Sequence, residues 1–369
     1  MTSSNDDRLA LPRLFPTIRL IARMRFRTTL APSKLVLAAA GLLMVQLGWS
    51  GLDLILGAPA HPWTLLDPGE RSPGSAWVWD FATLNRLFLE PIRQGYVLFW
   101  GTFGGGAGWL GVVHGMLALV WFYVIGGLFG GAICRMIMVE IGRGGRVGPR
   151  EALRFAWRSK ASLILAPLCP VLLYIPCAFL VVLYGLLYRI PGVGPALGGL
   201  ALGVPLVLGF LMTMLALTLF LGWPLMLAAI AAGADDALDA ISRVISYSQQ
   251  KLGTVVIPLI HAYLVGMVGL AFLRLIEDDT IRLVLWGLSC GGPEQRAYLL
   301  LGNPNAGDVA ALAHAGWLAA LRLIVSGWVW CYYATTACYL YLWLRQEIDG
   351  APWNELDRPK PPPPRGVSP

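Results

Sequence analysis

The chain alternates between long apolar runs and shorter polar connections. The apolar runs cover about residues 35–57, 110–139, 162–187, 197–232, 253–275 and 317–344. An α-helix needs about 20 mainly apolar residues to cross the hydrocarbon core of a bilayer, and each run is long enough. The pattern therefore predicts an all-α fold, a polytopic transmembrane helix bundle of about six spans within residues 35–345.

Prolines mark two spans that are expected to be irregular. Pro167, Pro170 and Pro176 lie in the third run and are expected to bend it, because proline removes a helical hydrogen bond. The fourth run is too long for one upright helix and contains Pro205 and Pro224. It is therefore either one broken helix or two helices.

Two amphipathic stretches follow the second and fourth runs. Each opens with the sequence acid-Ala-Leu, at 151–153 and 236–238, and each leads into an apolar run that contains proline. In the stretch 235–252, apolar residues share one helical face, and aspartates occupy the first turn, where the helix dipole favours acid. We therefore predict two similar units of span, amphipathic helix and span.

Two longer segments, 58–109 and 276–316, are predicted to lie on the outer side of the membrane. The apolar residues between Trp77 and Phe88 form a helical stripe, which favours a helix at the membrane interface, and the Gly-rich stretch 101–108 is predicted to be a hinge. The second insert opens with acidic residues and contains turn signals. The sequence leaves open whether the inserts form interfacial or re-entrant helices.

Composition places the chain among polytopic membrane proteins. Charged residues make up 13% of the sequence and apolar residues 57%, and the mean hydropathy is +0.64. A usual soluble domain carries about 25% charged residues. The fifteen Trp residues suit the belts at the two membrane interfaces. Five of the six Cys lie in apolar runs, so we expect no disulfide framework.

Basic residues determine the predicted orientation, because they accumulate on the cytoplasmic side of membrane proteins. The net charge is +7, with many of the cations in the arm 1–34, the tail and the connection after the second run. That connection forms a basic loop containing Arg143, Arg146, Arg150, Arg154, Arg158 and Lys160. We predict cytoplasmic N- and C-termini, a basic arm at 1–34, a disordered Pro-rich tail at 346–369, and attraction of the loop to anionic lipid rather than to nucleic acid.

Ionisable residues within the spans are candidate functional groups, since a charge in hydrocarbon costs at least about 2.5–3.5 kcal/mol. Asp53, His114, Arg274 and Arg322 all fall near predicted outer ends of spans. They form either a polar vestibule that binds an anion, a headgroup or a proton, or four side chains that reach the interface independently. We favour the second interpretation. The deeper His261 is expected to be a neutral, hydrogen-bonded side chain rather than a proton relay.

Glycine spacings are explained by helix packing. Gly126, Gly127, Gly130 and Gly131 contain two GxxxG pairs, which allow helix backbones to approach closely in lipid. Packing within the chain is favoured over homo-oligomerisation. The GxGxxG sequence at 106–111 lacks the preceding strand of a dinucleotide site and is interpreted as part of the hinge.

The sequence contains no HExxH, GxSxG or Walker A motif and no His/Cys/Asp cluster with metal-ligand spacing. We therefore expect no enzymatic activity, no cofactor and no metal.

The two acid-Ala-Leu units resemble, over about residues 110–345, a group of mostly uncharacterised bacterial six-span membrane proteins, which includes the membrane domain attached to some glycerophosphodiester phosphodiesterases. The chain has no phosphodiesterase domain, so no catalytic residue carries over. The resemblance implies a multi-pass protein of the bacterial cytoplasmic (inner) membrane. The leading hypothesis is a non-enzymatic scaffold or complex subunit that packs with lipid or with a protein, including a second copy. The alternative is a transporter or channel for a small anion or lipid.

Overall fold

The computed structural model describes residues 28–56, 81–103, 109–233, 236–250, 252–291 and 309–356. Within these ranges all regular secondary structure is helical, which confirms the predicted all-α class. The helices are α1 (Pro32–Leu56), α2 (Phe81–Phe88), α3 (Glu90–Phe103), α4 (Trp109–Arg143), α5 (Pro149–Arg158), α6 (Lys160–Leu187), α7 (Gly194–Leu200), α8 (Gly203–Ala231), α9 (Ala237–Gln250), α10 (Leu252–Gly291) and α11 (Val309–Asp349).

Four helical segments among the described residues are long and apolar enough to cross a membrane. They are Pro32–Leu56, Leu110–Arg143, Lys160–Leu187 and Val255–Gly291, and they overlap the first, second, third and fifth predicted spans. Helix α8 contains two shorter apolar segments, Gly203–Ala216 and Gly222–Ala231. These lengths indicate a membrane protein with several spanning helices.

Helix α4 is the centre of the bundle. It packs against α1, α3, α5, α6, α8 and α11. Its side chains Leu119, Phe122, Ile137 and Met138 are each at most 1% exposed. A helix that is apolar on every side requires neighbours on every side, and this arrangement supplies them.

The start of α1, the helices α5 and α9 and the end of α11 meet at one end of the bundle, which we call the basic end. Lys34 at the start of α1 forms an ion pair with Glu140 near the end of α4, and α5 follows α4 after a short loop. Tyr247 in α9 donates a hydrogen bond to Asp349 at the end of α11. Both amphipathic stretches and both ends of the described chain therefore lie together.

The fourth apolar run forms two helices, α7 and α8, with a break at residues 201–202. The break precedes Pro205, which occupies the first turn of α8, where a proline costs no helical hydrogen bond. Helix α6 continues from Lys160 to Leu187 through all three of its prolines. The expected bends therefore do not end that helix.

The two helices that flank the predicted second insert extend into it. Helix α10 continues past Leu275 to Gly291, and α11 begins at Val309. No glycine or proline occurs between Leu275 and Trp286, so nothing in the sequence ends α10 where its charged residues begin. Residues 276–291 and 309–316 therefore extend the two helices.

The first residues of the predicted disordered tail, 346–356, have defined structure. Helix α11 reaches Asp349 and ends at Gly350, which has a φ of +66°. Leu356 is 4% exposed and packs near Gly142, and Arg345 donates a hydrogen bond to the Glu355 carbonyl at 2.9 Å. The tail was predicted from its prolines, but these begin to cluster only after the apolar Trp353 and Leu356.

Parts of several predictions lie outside the described residues. They are the basic arm through residue 27, the segment 57–80, most of the glycine hinge (104–108), the centre of the second insert (292–308) and the Pro-rich tail from residue 357.

Candidate functional site

Lys34 is the most buried cation at the basic end. Its side chain is 3% exposed, whereas that of its partner Glu140 is 29% exposed. The Lys34 ammonium also donates a hydrogen bond to the Thr28 carbonyl at 3.0 Å. The backbone before α1 thus covers Lys34, and the ion pair joins α1 to α4.

A cavity of about 220 Å³ lies beside this ion pair. Its polar lining includes Ser33, Lys34, Glu140 and Arg146, so two cations and one carboxylate face the same space. Arg146 belongs to the loop between α4 and α5 and is exposed. The charge balance makes this cavity suited to an anion.

Helix α5 presents a cationic and aromatic face to its surroundings. Ala152 and Ala156 are at most 1% exposed and hold the helix against the bundle. The opposite side exposes the remaining cations of the predicted loop, Arg150, Arg154, Arg158 and Lys160, together with Trp157, which is 63% exposed. The Lys160 ammonium lies 4.4 Å from the centre of the Trp157 ring. Exposed cations and an exposed indole therefore lie side by side on this surface.

Two arginines near α5 are used for structure. Arg143, counted above in the basic loop, donates a hydrogen bond to the Leu356 carbonyl at 3.2 Å. Arg135 donates to the Ala231 carbonyl at 2.9 Å, and its guanidinium lies 4.7 Å from the centre of the Phe155 ring. These contacts bind the ends of α4, α5, α8 and the C-terminal segment together.

Helix α9 is fixed to the bundle by polar contacts as well as by Ala237, Ala240 and Val244, which are buried. Burial raises the pKa of the Tyr247 phenol well above its ordinary value, and the hydrogen bond to Asp349 raises that pKa further. At neutral pH Tyr247 is therefore a protonated donor.

The structure brings two of the four residues in the predicted outer cluster together. His114 Nε2 lies 2.8 Å from Asp53 Oδ1, which links α1 to α4 far from the basic end. His114 is 2% exposed. The partner of Asp53 is therefore the imidazole of His114.

Arg274 pairs with Glu277 one turn further along α10, at 2.5 Å between Nη1 and Oε2. Their side chains are 8% and 1% exposed, so the acidic start of the second insert contains a buried ion pair. Tyr332 donates to the Ala262 carbonyl at 2.6 Å, which joins α10 to α11. Arg322, the fourth residue of the cluster, is half-buried in α11.

The remaining candidates have packing positions. His261 is half-buried in α10. A Cβ atom added to Gly126 or Gly130 meets Trp223 or Leu227 of α8. At Gly127 and Gly131 it meets Leu163 of α6. The four glycines thus allow α4 to approach two neighbouring helices of the same chain.

Sequence reasoning missed the helix pair α2–α3, whose bend lies inside the bundle. Phe88 is 3% exposed and lies 5.3–5.8 Å from the ring centres of Tyr263, Tyr332 and Tyr333. Tyr263 and Tyr333 occupy the middle of the fifth and sixth predicted spans. Each lies about 15 Å along its helix from the predicted cytoplasmic end of its span. Two residues of the apolar stripe expected at the membrane interface, Leu84 and Phe88, therefore pack against protein, whereas Phe81 is 64% exposed.

Pro91 explains the bend, since it has no N–H group to continue the helix. The Ile92 amide bonds to the Leu89 carbonyl, and the Phe88 carbonyl accepts a hydrogen bond from the Tyr333 hydroxyl at 3.1 Å. Buried helix breaks require such partners. Pro91 beside the apolar stripe indicates a helix break, but the sequence alone does not show how deeply that break is buried.

A small apolar cavity of about 80 Å³ lies at the centre of the bundle between α1, α3, α4, α8 and α11. Pro91, Phe122, Gly126, Trp223 and Tyr333 contribute to its lining. Its chemistry suits apolar atoms rather than an ion.

Among the described residues, no group of three or more His, Cys, Asp or Glu side chains could hold a metal ion. Comparison with protein-family models, curated proteins and solved structures found no match.

Proposed function

We propose that this protein is a non-enzymatic, multi-pass protein of a bacterial cytoplasmic membrane that binds anionic lipid at its basic end and serves as a scaffold or complex subunit. The observation that carries the proposal is the exposed face of α5, where Trp157 lies among four cations beside apolar helices of membrane-spanning length. Indole rings and cations are the side chains that membrane interfaces favour.

The proposed topology has six spans and cytoplasmic termini. Helix α8 contains 29 residues and α11 contains 41, so both are long enough to complete the set with the four apolar helices. The start of α1 and the end of α11 both lie at the basic end, which supports an even number of membrane crossings. The excess of cations there supports a cytoplasmic position for that end.

The second amphipathic helix, α9, extends the same surface. Leu238 is 65% exposed and Ile245 is 37% exposed, although neighbouring residues of α9 are buried in the bundle. Exposed leucine and isoleucine on a helix that joins two apolar helices support contact with the acyl boundary of the inner leaflet.

Cysteine labelling tests this topology. In a Cys290→Ser background, Arg154→Cys and Ser242→Cys are introduced separately, because both positions are exposed. Arg189→Cys, in the exposed turn between α6 and α7, is the matched control. A membrane-impermeant maleimide should label the first two only from the cytoplasmic side and Arg189→Cys only from outside. Labelling of Arg154→Cys from outside contradicts the topology.

Native mass spectrometry of the protein extracted from its own membrane tests the binding function. We expect retained anionic phospholipid, and a scaffold additionally retains a stoichiometric protein partner. Replacing Arg150, Arg154 and Arg158 together by Gln should reduce the retained anionic lipid. Equal retention by this variant and the natural protein overturns the role of α5.

Transport of a small anion or lipid is the second candidate. The two units joined through α5 and α9 favour it, because alternating access uses repeated halves. The central cavity is apolar and therefore favours the lipid over the anion as the transported molecule. Flux into proteoliposomes tests it with Arg322→Ala and with the charge-neutral pair Arg274→Met/Glu277→Leu. Loss of flux in variants that remain folded favours transport, whereas absence of flux in the natural protein rejects it.

A further inference from the structure

The cavity beside Lys34 has the properties of a binding site rather than of a packing defect. Its volume of about 220 Å³ is far above the about 10–15 Å³ that one water molecule needs. Its lining combines Lys34, Arg146, Ser33 and Glu140 with the apolar residues Leu30 and Met136. Polar and apolar groups therefore face the same space.

Lys34 has a hydrogen-bond donor left for a ligand. Its ammonium carries three N–H donors. Among the described residues its acceptors are the Thr28 carbonyl and the Glu140 carboxylate. One donor is therefore available within a cavity whose other cation, Arg146, contributes a planar guanidinium that suits phosphate.

The carboxylate restricts the chemistry of the ligand. Lys34 and Glu140 balance each other, so Arg146 leaves the cavity with a net positive charge. A ligand that combines an anionic group with a hydroxyl or amine donor satisfies both Arg146 and Glu140. A phosphodiester that carries a polyol or an amine has this combination.

The position of the cavity identifies the source of such a group. Lys34 immediately precedes the first apolar run and Glu140 immediately follows the second. Leu30 is 39% exposed at the rim, where the apolar part of a lipid can continue from its headgroup. We propose that this cavity binds the phosphodiester headgroup of a phospholipid.

Binding measurements on the full-length protein in a phosphate-free detergent test the proposal. The probes are dihexanoylphosphatidylglycerol, the water-soluble glycerophosphoglycerol and inorganic phosphate, each titrated calorimetrically. We expect the short-chain lipid to bind most tightly. Arg146→Gln should weaken it about tenfold, because a charge-assisted hydrogen bond to phosphate is lost.

Two further variants make the result specific. Arg189→Gln removes the same charge from the exposed turn between α6 and α7, outside the cavity and outside α5, and should change the affinity less than twofold. Leu30→Glu places a negative charge at the exposed rim and should weaken binding at least as much as Arg146→Gln. Unchanged thermal unfolding of each unliganded variant shows that folding is intact.

Equal effects of Arg146→Gln and Arg189→Gln, or no binding of any probe, overturn the proposal. Equally tight binding of glycerophosphoglycerol and the lipid assigns the cavity to a soluble phosphodiester and overturns the lipid source. The assignment of the phosphodiester to a membrane lipid rests on the membrane orientation proposed above, whereas the phosphate chemistry of the cavity does not. If the variant with Arg150, Arg154 and Arg158 replaced by Gln retains its anionic lipid, the proposed role of α5 fails but the Arg146→Gln result still stands. The two proposals can therefore fail separately.

Discussion

The two partners of the Lys34–Glu140 ion pair differ in burial, which makes their replacements unequal. Glu140→Leu leaves an almost fully buried ammonium without its counter-ion and should destabilise the protein by about 3–5 kcal/mol. Lys34→Met leaves a carboxylate that water still reaches and should cost less. Chemical or thermal unfolding in detergent gives both values.

The double variant Lys34→Met/Glu140→Leu is the control for this pair. It should be more stable than Glu140→Leu alone, because no unpaired charge remains. Additive losses in the double variant would show that the two side chains do not interact.

Tyr247 gives the bundle a predicted dependence on alkaline pH. Its pKa in the folded protein is raised by burial and by the Asp349 hydrogen bond. The stability from this phenol is fully present below its unfolded pKa of about 10 and is lost as the pH rises from there through the folded pKa. Tyr247→Phe should be less stable by about 1–2 kcal/mol at pH 8, and the difference should shrink by pH 10.5. A constant difference across this range contradicts the assignment.

Residue types near the span ends could be found from sequence, but their partners could not. Asp53, His114 and Arg274 were identified because charge is rare in apolar runs. The partner of Arg274 is Glu277, three residues away, and it was assigned to an outer segment because its neighbours are acidic. Burial decides such cases, and a single sequence does not report burial.

At the scale of elements, the glycines of α4 predict a graded response to added volume. In Gly127→Ala the new Cβ meets the Leu163 carbonyl oxygen at 2.8 Å, and a backbone atom yields poorly. We expect a loss of about 1–3 kcal/mol in unfolding free energy.

Gly209→Ala in α8 is the matched control, since no atom lies within 4 Å of the added Cβ. That variant should be neutral or slightly more stable, because alanine favours helix. If both alanine variants have the same stability, the close contact between α4 and α6 carries no energetic weight.

The presence of the long helices could be predicted from the lengths of the apolar runs. The residues at which helices end, and how deeply a helix is buried, were harder to predict. The runs located α1, α4, α6 and α10 because each contains more apolar residues than a bilayer requires. The stripe that ends at Phe88 was expected at the membrane interface, since an amphipathic stripe looks the same whether it faces lipid or the rings of Tyr263 and Tyr333. Only the packing distinguishes the two environments.

At the scale of the whole molecule, the C-terminal segment completes the basic end. Deleting residues 350–369 removes the buried Leu356 and the carbonyls that Arg143 and Arg345 use. We expect a loss of about 2 kcal/mol or more, measured as a lower melting temperature in detergent. Deleting only residues 357–369 is the control and should leave the melting temperature unchanged. Equal melting temperatures of the two truncations would show that residues 350–356 do not stabilise the bundle.

The contact between Leu356 and Gly142 has a consequence for biosynthesis. Gly142 lies at the end of α4, whereas Leu356 follows it by more than two hundred residues. The surface around Gly142 therefore stays uncovered while these residues are synthesised. The basic end closes only once Leu356 has left the ribosome.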